Sequence, residues 1–133
     1  MRIISALLTF MLFVGSAFAD AYSGMRVYDG GGVYVINPEG EKQLIPYPDT
    51  YDRLFRTWYG ITPMDTRRFP VGLNISTDAK LIKGAAPDVY LWSSFMKRPI
   101  TEEAFNRFQF DWRQIVTVSE ATLASIPTGP LWQ

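Results

Sequence analysis

The chain contains no cysteine and no histidine. Without cysteine there is no disulfide framework, no thiol nucleophile and no thiolate metal ligand. Without histidine the usual serine and cysteine triads are excluded, and ordinary zinc, copper and haem sites lose their commonest ligand. An excess of one charge is also missing, since 13 Lys and Arg face 13 Asp and Glu, with no basic stretch beyond pairs such as Arg67-Arg68. That balance makes no electrostatic case for nucleic acid or for an anionic membrane surface. Calcium has no D-x-D-x-D-G loop to bind. Asp29-Gly30-Gly31-Gly32 lacks the Lys-Ser/Thr and helix of a phosphate cradle, so it reads as a flexible turn. No cofactor and no metal is expected.

Paired carboxylates are the remaining catalytic option, at Glu102-Glu103 and at Glu39/Glu41. Neighbours on a helix do not face each other, so Glu102-Glu103 reads as acidic charge at a helix start. Glu39 and Glu41 flank a turn and read as solvated. A catalytic centre is not expected.

Long apolar runs are confined to one place. Arg2 precedes an apolar segment from Ile3 to Val14, then Gly15-Ser16 and Ala17-Phe18-Ala19 ahead of Asp20. This is the layout of a secretory signal of bacterial type, with an A-x-A cleavage site. The uncharged run to Ala19 sits at the short edge of the roughly 17–25 residues that a spanning helix needs, and no basic stop-transfer flank follows it. Residues 1–19 are therefore expected to be removed, and the product to be secreted or periplasmic without stable membrane insertion. Loss of Arg2 leaves the remainder one unit on the acidic side.

The remainder carries an internal repeat. Val33-Tyr34-Val35-Ile36 matches Val89-Tyr90-Leu91-Trp92 at an offset of 56, and the offset then becomes 54. At that spacing Tyr51 matches Phe105, Arg53 matches Arg107, Trp58 matches Trp112 and Ile61 matches Ile115. Past a three-residue insertion, Phe69-Pro70-Val71-Gly72 matches Ile126-Pro127-Thr128-Gly129. The lead-ins correspond too, Met25 to Tyr28 with Lys80 to Lys83. Two modules are expected, residues 20–79 and 80–133, with Leu73 to Ala79 as a short linker.

Each copy reads as ββ(β)α plus a turn of helix. A lead-in strand precedes Val33–Ile36 or Val89–Trp92, a turn such as Asn37-Pro38-Glu39-Gly40 reverses the chain, and Lys42–Ile45 or Met96–Ile100 returns. Pro48 suits a first helical turn, and Thr101 before two glutamates reads as an N-cap. Tyr51, Leu54, Phe55 and Trp58 recur at helical spacing, as do Phe105, Phe108 and Trp112, and this apolar stripe places both tryptophans in the core. A disulfide-free module of this size is marginal alone. The expectation is an α+β fold of two tandem copies packed into one compact or two-lobed body.

The segment from Val89 to Pro130 resembles a repeat of secreted and envelope-associated bacterial proteins. The resemblance rests on Val89-Tyr90-Leu91, Lys97-Arg98-Pro99-Ile100, Phe105, Phe110-Asp111-Trp112, Val116-Thr117-Val118-Ser119 and Leu123 to Gly129. The first copy departs from it, with Gln43-Leu44 in place of the basic pair and Thr57 only loosely matching the residue between the Phe and Trp positions. The resemblance implies tandem, non-catalytic surface modules. It transfers no functional residue.

Aromatic rings, 15% of the chain, are what remains for recognition. Those outside the helical stripes are Tyr34, Tyr47, Tyr59, Trp92, Phe95 and Trp132. Phe95 falls in a turn and Trp132 near the last residue, so these two, with Trp92 and Tyr34, are the expected partner-binding residues. The expected function is an exported, non-catalytic binding or structural module, associated with envelope or matrix or self-assembling outside the cell. Its partner would be a protein or an envelope glycan, with a homo-oligomer or filament as one form. A periplasmic accessory or inhibitor protein and a small carbohydrate-active enzyme with paired carboxylates are the alternatives.

Overall fold

Backbone geometry at the turns organises the first sheet. Strands β1 (Arg26–Asp29) and β2 (Gly32–Ile36) pair antiparallel with Asp29 opposite Gly32. The two residues between them, Gly30 and Gly31, have φ of +58° and +87°, the left-handed pair of a type I′ turn that glycine adopts without strain. The turn after β2 is closed by Asn37, whose Oδ1 accepts from the amides of Glu39 and Glu41 at 3.0 and 2.9 Å. The chain returns as β3 (Lys42–Ile45), and a short β4 (Thr62–Pro63) adds in parallel to β1, giving the order β3-β2-β1-β4. These are the first elements of a computed structural model that describes residues 21–133. The expected signal segment, residues 1–19, lies outside the described residues.

The second sheet has the same strand order, β7-β6-β5-β8, from β5 (Lys80–Lys83), β6 (Val89–Ser93), β7 (Met96–Ile100) and β8 (Val116–Thr117). Helix α1 (Pro48–Leu54) follows β3, and α2 (Glu102–Arg107) follows β7. A 3-10 turn (Thr66–Arg68) closes the first half, where the second has α3 (Glu120–Ser125). The described residues thus form an α+β body with two four-stranded sheets and three α-helices.

Hydrogen bonds across the outer edges match between the halves. Lys42 N donates to Pro70 O and Gly72 N to Lys42 O, while Lys97 N donates to Pro127 O and Gly129 N to Lys97 O. Further along, Ile75 N donates to Leu44 O and Trp132 N to Pro99 O. Register adjusts the sequence alignment. Lys42 lies opposite Ile36 as Lys97 lies opposite Trp92, so Gln43 and not Lys42 differs from the second half's basic pair. The loop difference is split, with one extra residue in the first hairpin and one, Pro46, before α1. The expected linker is not a free connection: Ile75 is buried, and Ser76 N donates to Ser93 Oγ at 3.0 Å.

One core runs through both halves. Val35, Tyr51, Leu54 and Phe55 pack with Leu81, Leu91, Phe105, Phe108, Phe110 and Trp132 in a single cluster. At the seam Phe55 and Phe110 form an antiparallel bridge, with Arg56 N on Gln109 O and Asp111 N on Leu54 O, each at 2.9 Å. The expected core placement of Trp58 and Trp112 is wrong. Both lie past the helix ends and each is 47% exposed. Helix α1 stops at Leu54 because Phe55 turns extended (φ −110°, ψ 146°), so the spacing that held to Phe55 no longer describes a helix at Trp58.

Asp111, buried beside the seam, accepts from Arg113 N at 2.9 Å and from Arg113 Nε at 3.1 Å. The side-chain bond from Arg113, with its amide and charge, outweighs burial and holds this carboxyl below its ordinary value. The folded state then binds fewer protons than the unfolded one. This contribution is complete above the unfolded value of about 3.9 and is lost as pH falls through the lowered folded value. Urea midpoints measured from pH 5 downward should decline less steeply in Asp111→Asn than in the wild type. Parallel declines would mean that Asp111 carries none of the acid sensitivity.

Candidate functional site

The four rings singled out from the sequence do not meet in one place. Trp132 is a correction, being 0% exposed instead of a free surface ring. Its ring packs on Phe108 at 5.0 Å and Phe110 at 5.9 Å, and the Arg98 guanidinium covers it at 4.5 Å. The chain brings it there because residues 127–132 close the outer edge of β7, as 70–75 close that of β3. Trp132 thus stands where Ile75 stands in the first half. The signal in the sequence was the Pro-x-Gly match three to five residues earlier, continued as far as Ile75. Trp92 is half-buried on β6, with Lys80 Nζ 5.0 Å from its ring centre.

Phe95 does project. It is 93% exposed at the β6–β7 tip, where Ser94 and Phe95 have φ of +54° and +62°. This is the same turn type that Gly30-Gly31 form at the β1–β2 tip. A bulky L-residue there is strained by roughly 1–2 kcal/mol. Phe95→Gly should therefore raise stability by about 1 kcal/mol, after the entropy that glycine returns to the unfolded chain. The urea midpoint would show it. An unchanged or lower midpoint would mean that the ring makes stabilising contacts.

Tyr34 belongs to a groove on the first half. Its volume is about 450 Å³, and it is lined by Tyr34, Tyr47, Tyr51 and Trp58, by the Gly30–Gly32 turn, and by aliphatic and proline side chains of residues 44–48. No charged side chain lines it. Tyr51 forms a buried wall. Its hydroxyl donates to Thr57 O at 2.5 Å and accepts from Arg26 Nη1 at 2.6 Å. Burial pushes its pKa up, against the lowering by Arg26, so the hydroxyl stays protonated at neutral pH. Trp58 stacks on Tyr51 at 3.9 Å, and its Nε1 is tied to Asp52 Oδ1 at 2.8 Å. The second half repeats that fixture with Trp112 on Phe105 at 3.8 Å and Nε1 3.3 Å from Asn106 Oδ1.

Tyr47 distinguishes the first half. It occupies the N-cap of α1 and is 60% exposed, with no side-chain hydrogen bond to the helix. The same position of α2 holds Thr101, whose Oγ1 accepts from Ala104 N at 3.1 Å. An exposed ring thus stands where a capping residue would contribute about 1 kcal/mol.

Three carboxylates elsewhere, Asp29, Asp65 and Glu39, are engaged. Asp29 accepts from Thr66 N and Oγ1 at 2.9 and 2.8 Å, which holds its carboxyl below the ordinary value and keeps it ionised. Asp65 is held far below the carboxylate range by Arg67. Glu39 pairs with Arg98 at 2.9 Å across the seam, beside a cavity of about 150 Å³ lined by Asn37, Gln43 and Trp132. Among the described residues there is no group of three or more acidic, His or Cys side chains placed to hold a metal, and no helix long and apolar enough to cross a membrane. The chain matches no protein-family model, no curated protein and no solved structure.

Proposed function

We propose that this is an exported, non-catalytic binding protein made of two tandem copies of one small module, and that its binding site is the aromatic groove of the first copy. Its partner is a protein or an envelope glycan. The observation that carries the reading is the groove itself, an uncharged cleft whose exposed Tyr47 replaces a helix cap. The half-exposed Trp58 ring, held by Tyr51 and Asp52, is suited to recognition, since it loses little freedom when a ligand stacks on it. Asp29, Asp65 and Asp111, held ionised by nearby donors, are unsuited to act as the acid of an acid–base pair, which needs its carboxyl raised. The matched strand orders and edge hydrogen bonds support the tandem origin, and the A-x-A segment supports export.

The test uses the protein as recovered from producing cells. Mass spectrometry should place its first residue at Asp20. It should then co-sediment with isolated envelope or form larger assemblies, and Tyr47→Ala should weaken this at least tenfold at an unchanged thermal midpoint. Intact Met1 on a membrane-bound product would refute export, and a wild type that stays monomeric and binds no envelope fraction would refute the binding role.

A further inference from the structure

We infer that the ligand of the groove is a second copy of this chain, which inserts its Ser94–Phe95 tip, and that the contact repeats head to tail. This rests on the reading of the groove as a binding site. Phe95 is the starting observation, since a ring that is 93% exposed and held at φ +62° gains nothing within its own molecule. Strain kept at an exposed position points to a use outside the fold.

Charge matches on the two sides. No charged side chain lines the groove, and none occurs from Val89 to Met96 around the tip. The corresponding tip of the first half carries Glu39 and Glu41 and has no such ring. The halves have diverged reciprocally, one with the ring at its hairpin tip and the other with Tyr47 at its helix start.

Geometry restricts how anything enters. Strand addition beside the groove is closed, because β3 already bonds to residues 70–75 through Lys42 and Leu44. An occupant must therefore enter with side chains. An α-helix, about 10–12 Å across, would fill about 450 Å³ within roughly one turn. A hairpin tip with one ring needs less room. Gly30 and Gly31 leave open space where side chains would stand, so a second backbone can approach closely.

Knob and groove are different surfaces, so the contact is heterologous and leaves a free knob and a free groove at the ends of every chain. One aromatic ring buries about 150–250 Å², well short of the roughly 1,200 Å² of a stable interface. The assembly is weak and depends on concentration.

Sedimentation velocity of the purified protein, from micromolar to millimolar concentration, tests this. Wild-type mass should rise continuously with concentration. Phe95→Ser and Tyr47→Thr should each stay monomeric, and Tyr47→Thr introduces the capping residue that α2 already uses. An equimolar mixture of the two should give a dimer and nothing larger, because one variant keeps only the groove and the other only the knob. A wild type that is monomeric at millimolar concentration, a single variant that still assembles, or a mixture that stays monomeric would each overturn the inference. Tryptophan fluorescence titrated with decaproline and with soluble envelope glycan fragments separates the two levels. Saturable binding lost in Tyr47→Thr, with a monomeric wild type, keeps the groove and discards self-assembly, whereas no response to either, with a monomeric wild type, discards both.

Discussion

Trp132→Ala should destabilise the protein by about 3–5 kcal/mol, the range for deletion of a large buried aromatic. The ring is 0% exposed and packs on Phe108 and Phe110, with the Arg98 guanidinium 4.5 Å from its centre. Its removal leaves a cavity at the seam and uncovers a guanidinium held to Glu39 and to Pro130 O. Domains of this size have total stabilities of about 5–15 kcal/mol, so the fraction lost is large. Equilibrium urea unfolding reads it as a lower midpoint at unchanged slope. Trp132→Phe should recover part of the loss by refilling some of the volume. A loss below about 1 kcal/mol would place Trp132 at the surface and contradict its role as a core residue.

Phe110→Ala is expected to have a comparable effect and a further consequence. Phe110 faces Phe55 at 5.3 Å from the first half and Phe105, Phe108 and Trp132 at 5.6, 5.8 and 5.9 Å from the second. A cost of about 3–5 kcal/mol should therefore be felt by both halves together. Amide hydrogen exchange under increasing denaturant should show β2 and β6 losing protection in one step, in the wild type and in the variant. Separate steps for the two strands would mean that the halves are independent units, in conflict with a shared core.

Local chemistry was legible in the residues. The turns, the return strands Lys42–Ile45 and Met96–Ile100, the start of α1 at Pro48 and the Thr101 cap all depend on a few neighbouring residues, and short-range sterics and hydrogen bonding decide them. The α+β class followed from the same signals. The candidate site was less legible: from the sequence Tyr34 is expected in recognition, and it lines the groove, whereas Tyr47 stays among the unassigned rings and Trp58 is expected in the core.

What the sequence determined by itself is the set of short elements, their order in each half, and the absence of thiol and imidazole chemistry. Tertiary structure alone decided which rings are buried. Helical spacing assigned Trp58 and Trp112 to the core, yet both helices end earlier and leave the rings half-exposed on Tyr51 and Phe105. Position near the last residue assigned Trp132 to the surface, yet backbone bonding of residues 127–132 to β7 carries it into the seam. The physical reason is common to both. Burial depends on which edges and faces of distant elements come together, and neither the spacing of residues along one element nor their place in the chain contains that information.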